Sequence, residues 1–263
     1  MMVHNFDPIL VDFGIIEIRW YSLAYIFGIL LGWWYGKKIL SKQVRNGKNY
    51  IEGFDDLIGY LIIGIIIGGR LGYVIFYNPS FYFNNLYEIF KIWEGGMSFH
   101  GGFIGVIIAT YIFSGIKSLN YKIYFDVICC VAPIGIFFGR IANFINGELY
   151  GTPTERPWGV VFPKVDSIAR HPSQIYEALM EGIILFVILN LIILKKGYRS
   201  GLVSSLFLIL YGVFRIISEQ FREPDKHLGY IFDYFSMGSA LSFIMVIFGL
   251  LFLSKFIFHE KNK

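Results

Sequence analysis

Charged side chains interrupt four of the seven long apolar stretches of this sequence, and three of these side chains are Arg70, Arg140 and Arg215. An ionisable side chain inside a membrane segment is costly and marks a candidate functional site. A guanidinium group recognises phosphate through its planar fork of N–H donors. We do not expect local glutamates to pair with all three arginines unless an anion also binds there. The arginines therefore predict a site for an anion, and a lipid phosphate is the natural one.

Helical spacing places further polar groups beside these arginines. Tyr211, Arg215 and Glu219 are four residues apart and form one stripe on a helix. Arg140 and Asn143 are three apart and share a face. The Arg215–Glu219 spacing also fits a simple pair in which each charge neutralises the other, and the sequence leaves both interpretations open.

Two histidines stand near the ends of apolar stretches. His100 is followed by two glycines, which let another backbone or a lipid approach closely. An imidazole there can act as an acid or base, although hydrogen bonding at an interface is the commoner role. His171 precedes Pro172 and Ser173, a pattern that predicts a helix start with Ser173 as its N-cap.

The elements that must position these groups are membrane helices. The 263 residues are 56% hydrophobic and only 16% charged, whereas soluble domains are about 45–50% apolar and about 25% charged. This composition excludes a soluble enzyme, a disordered chain and a fibrous repeat, and the modest net charge does not indicate nucleic-acid binding. The runs are continuous rather than alternating, so we predict an all-α, polytopic membrane protein with seven transmembrane helices. The stretches are 20–36, 57–77, 97–116, 124–144, 174–194, 201–219 and 234–254.

The basic residues predict the orientation of these helices. One set of loops carries thirteen lysines and arginines and the opposite set seven, so the first set should be cytoplasmic. The N-terminus is then outside and the C-terminus inside. We expect a single integral membrane domain over 1–263, in which the outer loop 145–173 forms a small cap. In this topology the intramembrane polar residues lie in the outer half of five helices, which indicates one shared site.

Other features have structural interpretations. Cys129 and Cys130 are adjacent and show no metal-binding spacing, so we expect small buried apolar residues rather than a redox pair. Glycines recur every four residues, as in Gly64 and Gly68, which predicts close packing of helices. The sequence predicts no metal and no cofactor.

Several motifs together resemble one enzyme family. The run GRIANFINGELYG at 139–151 is similar to the diagnostic motif of the bacterial prolipoprotein diacylglyceryl transferases. The resemblance extends to 100–102, 171–177, and 211–215 with Glu219. It covers nearly the whole chain in the same order.

This resemblance implies a specific reaction. Members of the family transfer the diacylglyceryl group of phosphatidylglycerol to the thiol of the lipobox cysteine in a prolipoprotein signal peptide. A thioether forms and glycerol phosphate leaves, in the first step of lipoprotein maturation. The resemblance also implies seven helices in the bacterial plasma membrane, an outer-leaflet active site, and membrane lipids as surroundings.

The family and the chemistry of the side chains together suggest individual roles. Fixed positive charges stabilise the phosphate that leaves, and a base must convert the thiol to the thiolate. His100 is the expected base, although Glu219 and Glu148 are also able to accept a proton. The expected catalytic residues are His100, Arg140, Tyr211, Arg215 and Glu219, and the expected lipid-binding residues are Arg70, Arg140, Asn143, Glu148 and Gly151.

Two other functions use the same residues. An anion or lipid transporter would use the arginines as a pathway and would need polar groups that continue to the inner side. The inner halves carry few, chiefly Asp55, Asp56 and Asp126. A different lipid enzyme, such as a phosphotransferase, would need carboxylate clusters for a metal, and none is visible in the sequence.

Overall fold

The computed structural model describes residues 2–14, 17–44, 47–224, 230–231 and 235–260. Helices account for most of the described chain, and a π-helical segment, Ala178–Ile184, connects α6 to α7. Short 3-10 turns lie at Leu86–Phe90 and Ile92–Glu94. The helices are α1 Trp20–Gln43, α2 Lys48–Phe76, α3 Pro79–Asn84, α4 Phe99–Ile116, α5 Tyr121–Asn146, α6 Ser173–Glu177, α7 Leu185–Ile193, α8 Leu202–Glu219 and α9 Met237–Glu260.

Five of these helical stretches are long and apolar enough to cross a membrane. They are α2, α5, the continuous stretch Ser173–Ile193, α8 and Gly238–Lys255 within α9. His100–Ile116 is a shorter apolar helix. The prediction of a helical, polytopic membrane protein is confirmed at this level, whereas the count of seven crossings stays a prediction. Helix α2 begins nine residues before its predicted apolar stretch, because its first turns are polar and carry Asp55 and Asp56.

Short strands accompany the helices of this predominantly α-helical chain. β1 (Met2–Val3) runs parallel to β4 (Val160–Val161), and β4 pairs in antiparallel with β5 (Ala169–Arg170). Two further antiparallel pairs join β2 (Ile9–Asp12) to β3 (Glu17–Arg19) and β6 (Tyr230–Ile231) to β7 (Phe235–Ser236). Strands of two to four residues leave almost no alternating pattern, so the sequence did not reveal them.

The chain divides into two compact units. The first contains the residues up to Gly36 and those from Asp126 onward, and the second contains Lys37–Phe125. In the second unit, α2 and α4 touch through their backbones. A Cβ atom on Gly64 would lie 2.7 Å from the carbonyl oxygen of Gly105. The predicted packing of helices through glycine is therefore confirmed here.

In the first unit, α8 is held firmly at both its start and its side. The carboxylate of Asp126 in α5 accepts hydrogen bonds from the backbone N–H of Gly201 (2.5 Å) and of Ser204 (2.7 Å). These are backbone N–H groups at the start of α8, where an acidic group is favourable. Along its length α8 packs closely on α9, and a Cβ on Gly212 would lie 2.7 Å from the carbonyl oxygen of Ser242. Helix α8 is thus a fixed support for the side chains at its other end.

Candidate active site

A network of buried ion pairs joins α5, α6 and α8 in the first unit. Its centre is Glu177, whose side chain has no solvent exposure. One carboxylate oxygen lies 2.9 Å from Nε of Arg140. The other lies 2.7 Å from Nη1 of Arg215 and 3.4 Å from Nη1 of Arg222. A single carboxylate therefore faces guanidinium groups from three different segments.

A second buried carboxylate, that of Glu181, completes the centre of the network. It lies 3.1 Å from Nη2 of Arg140 and 3.6 Å from Nη1 of Arg215, and Ser218 Oγ donates to it at 3.3 Å. The remaining carboxylate, that of Glu219, pairs with Nη2 of Arg215. Among the residues that the structure describes, the network thus contains three arginines and three glutamates. Charges balanced in this way tolerate a buried environment that would expel an unpaired charge.

The π-helical segment explains how two glutamates meet the same arginines. Residues 178–184 follow Glu177 directly and include Glu181, and both side chains are fully buried. Such segments are rare in proteins overall, but many of those known lie at functional sites, because they change the direction in which side chains project. Gly182 lets this segment approach α5, since a Cβ there would lie 2.8 Å from Cβ of Phe137. Glu177 and Glu181 lie at the start of the predicted apolar stretch 174–194, but the sequence did not predict their pairing with the arginines.

One part of Arg140 remains available in this network. Its Nε and Nη2 atoms contact Glu177 and Glu181, whereas its Nη1 makes no hydrogen bond to a described residue. The side chain is 17% exposed, in contrast to the fully buried glutamates. The two N–H groups of this nitrogen can therefore donate to an incoming anion without breaking the existing pairs.

The segment after α5 is fixed around Glu148. Its carboxylate accepts hydrogen bonds from the side-chain amides of Asn143 (2.8 Å) and Asn146 (3.2 Å). The backbone turns sharply on either side, with positive φ at Gly147 (70°) and Leu149 (57°). Glycine adopts the first of these without strain, whereas a leucine in this region is uncommon and must be held by its surroundings.

Side chains from α6 hold the same segment. Gln174 donates from its amide to the backbone carbonyl of Glu148 at 2.6 Å. Ser173 Oγ donates to the carbonyl of Leu149 at 2.9 Å. The prediction that Ser173 caps the helix is therefore wrong. Ser173 is the first residue of α6, Pro172 occupies the cap position, and the hydroxyl serves the neighbouring segment instead.

Gly151 lies where two chain segments leave no room for a side chain. Its N–H donates to the carbonyl of His171 at 2.9 Å, and a Cβ there would lie 2.6 Å from Cβ of His171. The carbonyl oxygens of His171 and Phe221 would be in closer contact still. Gly151 also forms a β-bridge with Arg222, which belongs to the ion-pair network. The glycine thus fixes the path of the backbone beside the site.

Arg170 links this backbone to the segment after α8. Its guanidinium donates to the carbonyl of Gly151 (3.1 Å), to Glu223 (3.1 Å) and to Asp166 (2.6 Å). It also lies over the ring of Tyr150, with 5.1 Å between the guanidinium carbon and the ring centroid. Hydrogen bonding from Arg170 holds the pKa of the Asp166 carboxyl below its usual value. Arg170 was not predicted as a site residue, and its contacts are structural.

His171 takes part in a polar and aromatic cluster. The hydroxyl of Tyr176 lies 3.1 Å from Nδ1 of His171 and accepts a hydrogen bond from the indole of Trp158 at 2.7 Å. Burial, together with the positive charge of Arg156, lowers the pKa of His171. These surroundings therefore favour the neutral form of the imidazole.

Tyr211 lies on the same stripe as Arg215 and Glu219, four residues apart along α8. It is 5% exposed, and its ring stacks on that of Phe207 with 5.6 Å between the centroids. The expected stripe is thus present. The Arg215–Glu219 pair is also present, and Arg215 contacts Glu177 and Glu181 in addition.

Arg70 lies in the second unit and is held by backbone carbonyl groups. Its guanidinium donates to the carbonyls of Glu88 (2.6 Å), Ile89 (2.8 Å), Gly95 (2.5 Å) and Gly96 (3.2 Å). Arg70 therefore has its partners in the loop without an anion, whereas Nη1 of Arg140 makes no hydrogen bond to a described residue. The sequence did not reveal that a loop would supply carbonyl oxygens to Arg70 or that Glu177 would serve several arginines at once.

His100 also lies in the second unit, in the first turn of α4. Ser98 caps this helix by accepting a hydrogen bond from the N–H of Gly101 at 3.2 Å. Gly101 packs against α2, where a Cβ on Gly72 would lie 2.8 Å from its Cα. The glycine after His100 therefore admits a backbone rather than a lipid. A chemical role for His100 stays a prediction.

The cysteines and the possible metal ligands are the remaining candidates for chemistry. Cys129 and Cys130 are free thiols, half-buried and buried respectively. Across the described ranges, no group of three or more His, Cys, Asp or Glu residues is able to hold a metal ion.

The fold and the site together define a polytopic helical membrane protein whose paired arginines are positioned by buried glutamates. A family model described as prolipoprotein diacylglyceryl transferase matches residues 8–255. The chain belongs to this family. It is 51% identical over 258 residues to the phosphatidylglycerol–prolipoprotein diacylglyceryl transferase of Rickettsia bellii (strain OSU 85-389), covering 97% of both chains. It is 50% identical to the proteins of the same name from Rickettsia felis and Rickettsia typhi, covering 95% of this chain and 96% of theirs.

Proposed function

We propose that this chain transfers the diacylglyceryl group of phosphatidylglycerol to the cysteine thiol of a prolipoprotein. Two independent lines support the proposal. The relatives named above, matched over almost their whole length, carry this activity in their names. The site offers two guanidinium groups that share the same buried glutamates, with Nη1 of Arg140 still able to donate. This second observation carries the proposal.

The chemistry follows from the charges. The thiolate sulfur attacks a glycerol carbon, a C–S bond forms, the C–O bond to phosphate breaks, and glycerol phosphate leaves with the electron pair. Negative charge grows on the leaving oxygen, so positive groups fixed beforehand stabilise the transition state more than the ground state. Arg140 and Arg215 supply these groups. Glu177 and Glu181 hold them side by side, so that no reorganisation is needed during the reaction.

The thiol proton must pass to a base. His100 is our first candidate because an imidazole can take up a proton near neutral pH. Glu148 and Glu219 are alternatives. Glu148 is the more exposed of the two, whereas Glu219 is already paired with Arg215. Asn143 and Tyr211 position the lipid in this proposal, and Gly151 fixes the backbone beside it.

The contacts of Arg70 support a different role from the predicted one. Four of its N–H donors already serve the carbonyls of residues 88–96. A guanidinium has five N–H donors, so one remains for a ligand. We therefore propose Arg70 mainly as a clamp for this loop.

We further propose that the chain crosses the bacterial plasma membrane seven times, with its N-terminus outside and its C-terminus in the cytoplasm. Helix α1 spans 24 residues, which corresponds to about 36 Å. The excess of basic residues in one set of loops supports the orientation. In this arrangement the ion-pair network lies toward the outer face.

The acidic residues near the opposite ends of the helices argue against a transporter. Asp55 pairs with Lys37 at 2.8 Å and Asp56 pairs with Lys117 at 2.8 Å. Asp126 is bonded to the start of α8. Each of these carboxylates serves its local structure, so they do not form a polar path that continues from the arginines.

The test is a transfer assay with the purified chain in detergent. Phosphatidylglycerol labelled in its acyl chains is mixed with a lipobox peptide, and a matched peptide with serine in place of cysteine is the control. We expect label on the cysteine peptide alone. Arg140→Ala should lower the rate by at least about 10²–10³-fold, the usual effect of removing one such donor. Normal turnover by this variant would overturn the site assignment.

A further inference from the structure

Two buried side-chain oxygen atoms beside the arginine network lack hydrogen-bond donors. One is Oε1 of Gln174 and the other is Oδ1 of Asn146, and neither accepts a hydrogen bond from the described part of the chain. Buried polar atoms are almost always partnered, so each exception requires an explanation. Both residues hold Glu148, one through its backbone and one through its side chain. Both amides are therefore anchored on the same residue.

The orientation of the Gln174 amide is fixed. Its nitrogen donates to the carbonyl oxygen of Glu148 at 2.6 Å, and a carbonyl can only accept. The oxygen must then point away from that contact. The side chain has no solvent exposure, so it has little freedom to turn. Gln174 thus presents a rigid acceptor, not a donor, to anything that reaches it.

The position of this acceptor relates it to the arginines. Gln174 and Glu177 are three residues apart in α6 and share one face, about 4.5 Å apart along the axis. Glu177 holds Arg140 and Arg215. On α5 the same displacement separates Arg140 from Asn143, which also bonds to Glu148. Gln174 therefore lies about one helical turn before Glu177, and Asn146 lies six residues, about 9 Å, beyond Arg140 at the end of α5.

A ligand whose phosphate binds the arginines would place its next few atoms at this level. Two acceptors without donors favour a group that brings hydroxyl hydrogens. We propose that Gln174, assisted by Asn146, recognises the hydroxyl groups of the glycerol that is esterified to the lipid phosphate. This inference rests on the proposed function and deepens it. It assigns selection of the polyol head group to these two amides and leaves binding of the phosphate to the arginines.

The experiment compares two lipids that differ only in those hydroxyl groups. Phosphatidylpropanol carries the same phosphate and the same acyl chains as phosphatidylglycerol but has no head-group hydroxyl. For the wild-type chain we expect kcat/KM to be about ten-fold higher with phosphatidylglycerol, the effect of about one net hydrogen bond. In Gln174→Met this preference should fall to near one, whatever the variant does to the rate with each lipid.

A matched control separates recognition from folding. Asn190 is another buried amide whose oxygen has no described donor, but its nitrogen donates to the carbonyl of Phe186 at 2.8 Å. It lies sixteen residues beyond Gln174 in the same span, about 24 Å along the axis. Asn190→Leu should therefore keep the ten-fold preference, whatever it does to stability. Loss of the preference in both variants would overturn the inference.

A binding measurement tests the inference even if Gln174→Met has little transfer activity. The dissociation constants of glycerol phosphate and propyl phosphate can be compared on the same purified proteins by calorimetry. Gln174→Met should bind the two equally, and the wild type should prefer glycerol phosphate. An unchanged preference in Gln174→Met, or no preference in the wild type, would overturn the inference. Absence of any transfer by the wild type would instead contradict the proposed function, and the binding comparison would still test Gln174.

Discussion

Neutralising Glu177 should damage the site more than neutralising Glu181, although both carboxylates are fully buried. In Glu177→Gln the side chain keeps nearly the same shape but loses its charge. Three guanidinium nitrogens, from Arg140, Arg215 and Arg222, then face an uncharged amide at distances between 2.7 and 3.4 Å. Among the described residues of the network, two carboxylates then remain for three arginines. Breaking a buried pair in this way costs about 3–5 kcal/mol of the free energy of unfolding.

The corresponding loss in Glu181→Gln should be smaller. Glu181 contacts two guanidinium groups, at 3.1 and 3.6 Å, and its third partner is the neutral hydroxyl of Ser218. Because the attraction between charges falls with distance, its removal costs less. Unfolding in detergent, followed by tryptophan fluorescence, gives both free energies. An equal loss in the two variants, or a greater loss in Glu181→Gln, would refute the view that Glu177 is the centre of the network.

Kinetic measurements distinguish a loss of arginine positioning from a simple loss of folded protein. The excess positive charge in Glu177→Gln should lower KM for the anionic lipid, while kcat falls because Arg140 and Arg215 are no longer held together. A change that only unfolds part of the sample lowers the apparent kcat and leaves KM unchanged. Adding Arg222→Gln should restore charge balance and recover part of the stability, with a coupling of about 0.5–3 kcal/mol. A rise in KM or an absence of coupling would contradict the argument.

Three further changes test other parts of the structure. Gly151→Ala should lower stability by about 1–3 kcal/mol and impair transfer, because a Cβ there would lie 2.6 Å from His171. Gly139→Ala, where a Cβ would meet nothing within 4 Å, is its control, and equal thermal stability of the two variants would refute the packing argument. Arg70→Lys, which can no longer serve four carbonyls, should make the 86–96 loop more sensitive to proteolysis with little change in KM for lipid. A large increase in KM without increased cleavage would restore Arg70 as a lipid ligand. The pKa of Asp166 is lowered by Arg170, so this pair stabilises the fold above the carboxyl's unfolded pKa of about 3.9 and loses its effect as pH falls through the lower folded value. Between pH 7 and pH 3, the free energy of unfolding should fall less for Asp166→Asn than for wild type. Identical pH dependence in the two proteins would exclude a contribution of this pair.

The sequence by itself determined the class of protein and which residues stand in its apolar segments. Long continuous apolar runs leave helices as the stable solution in a membrane, because each helix satisfies its own backbone hydrogen bonds. Spacing of three and four residues placed Tyr211, Arg215 and Glu219 on one stripe, and the structure shows that stripe on α8. These are local properties, so they can be read without knowledge of the fold.

Pairing between distant segments was decided only by the tertiary structure. Arg140 meets Glu177 across a separation of 37 residues in the sequence, and no pattern within either helix specifies this contact. The clamp on Arg70 depends on backbone carbonyls, which every residue carries and which therefore leave no signature in the sequence. Ser173 has the residue type of a cap, yet its hydroxyl donates to the carbonyl of Leu149 in a segment distant along the sequence. Charge in an apolar stretch is visible in the sequence, whereas the partner that neutralises it depends on how the helices pack.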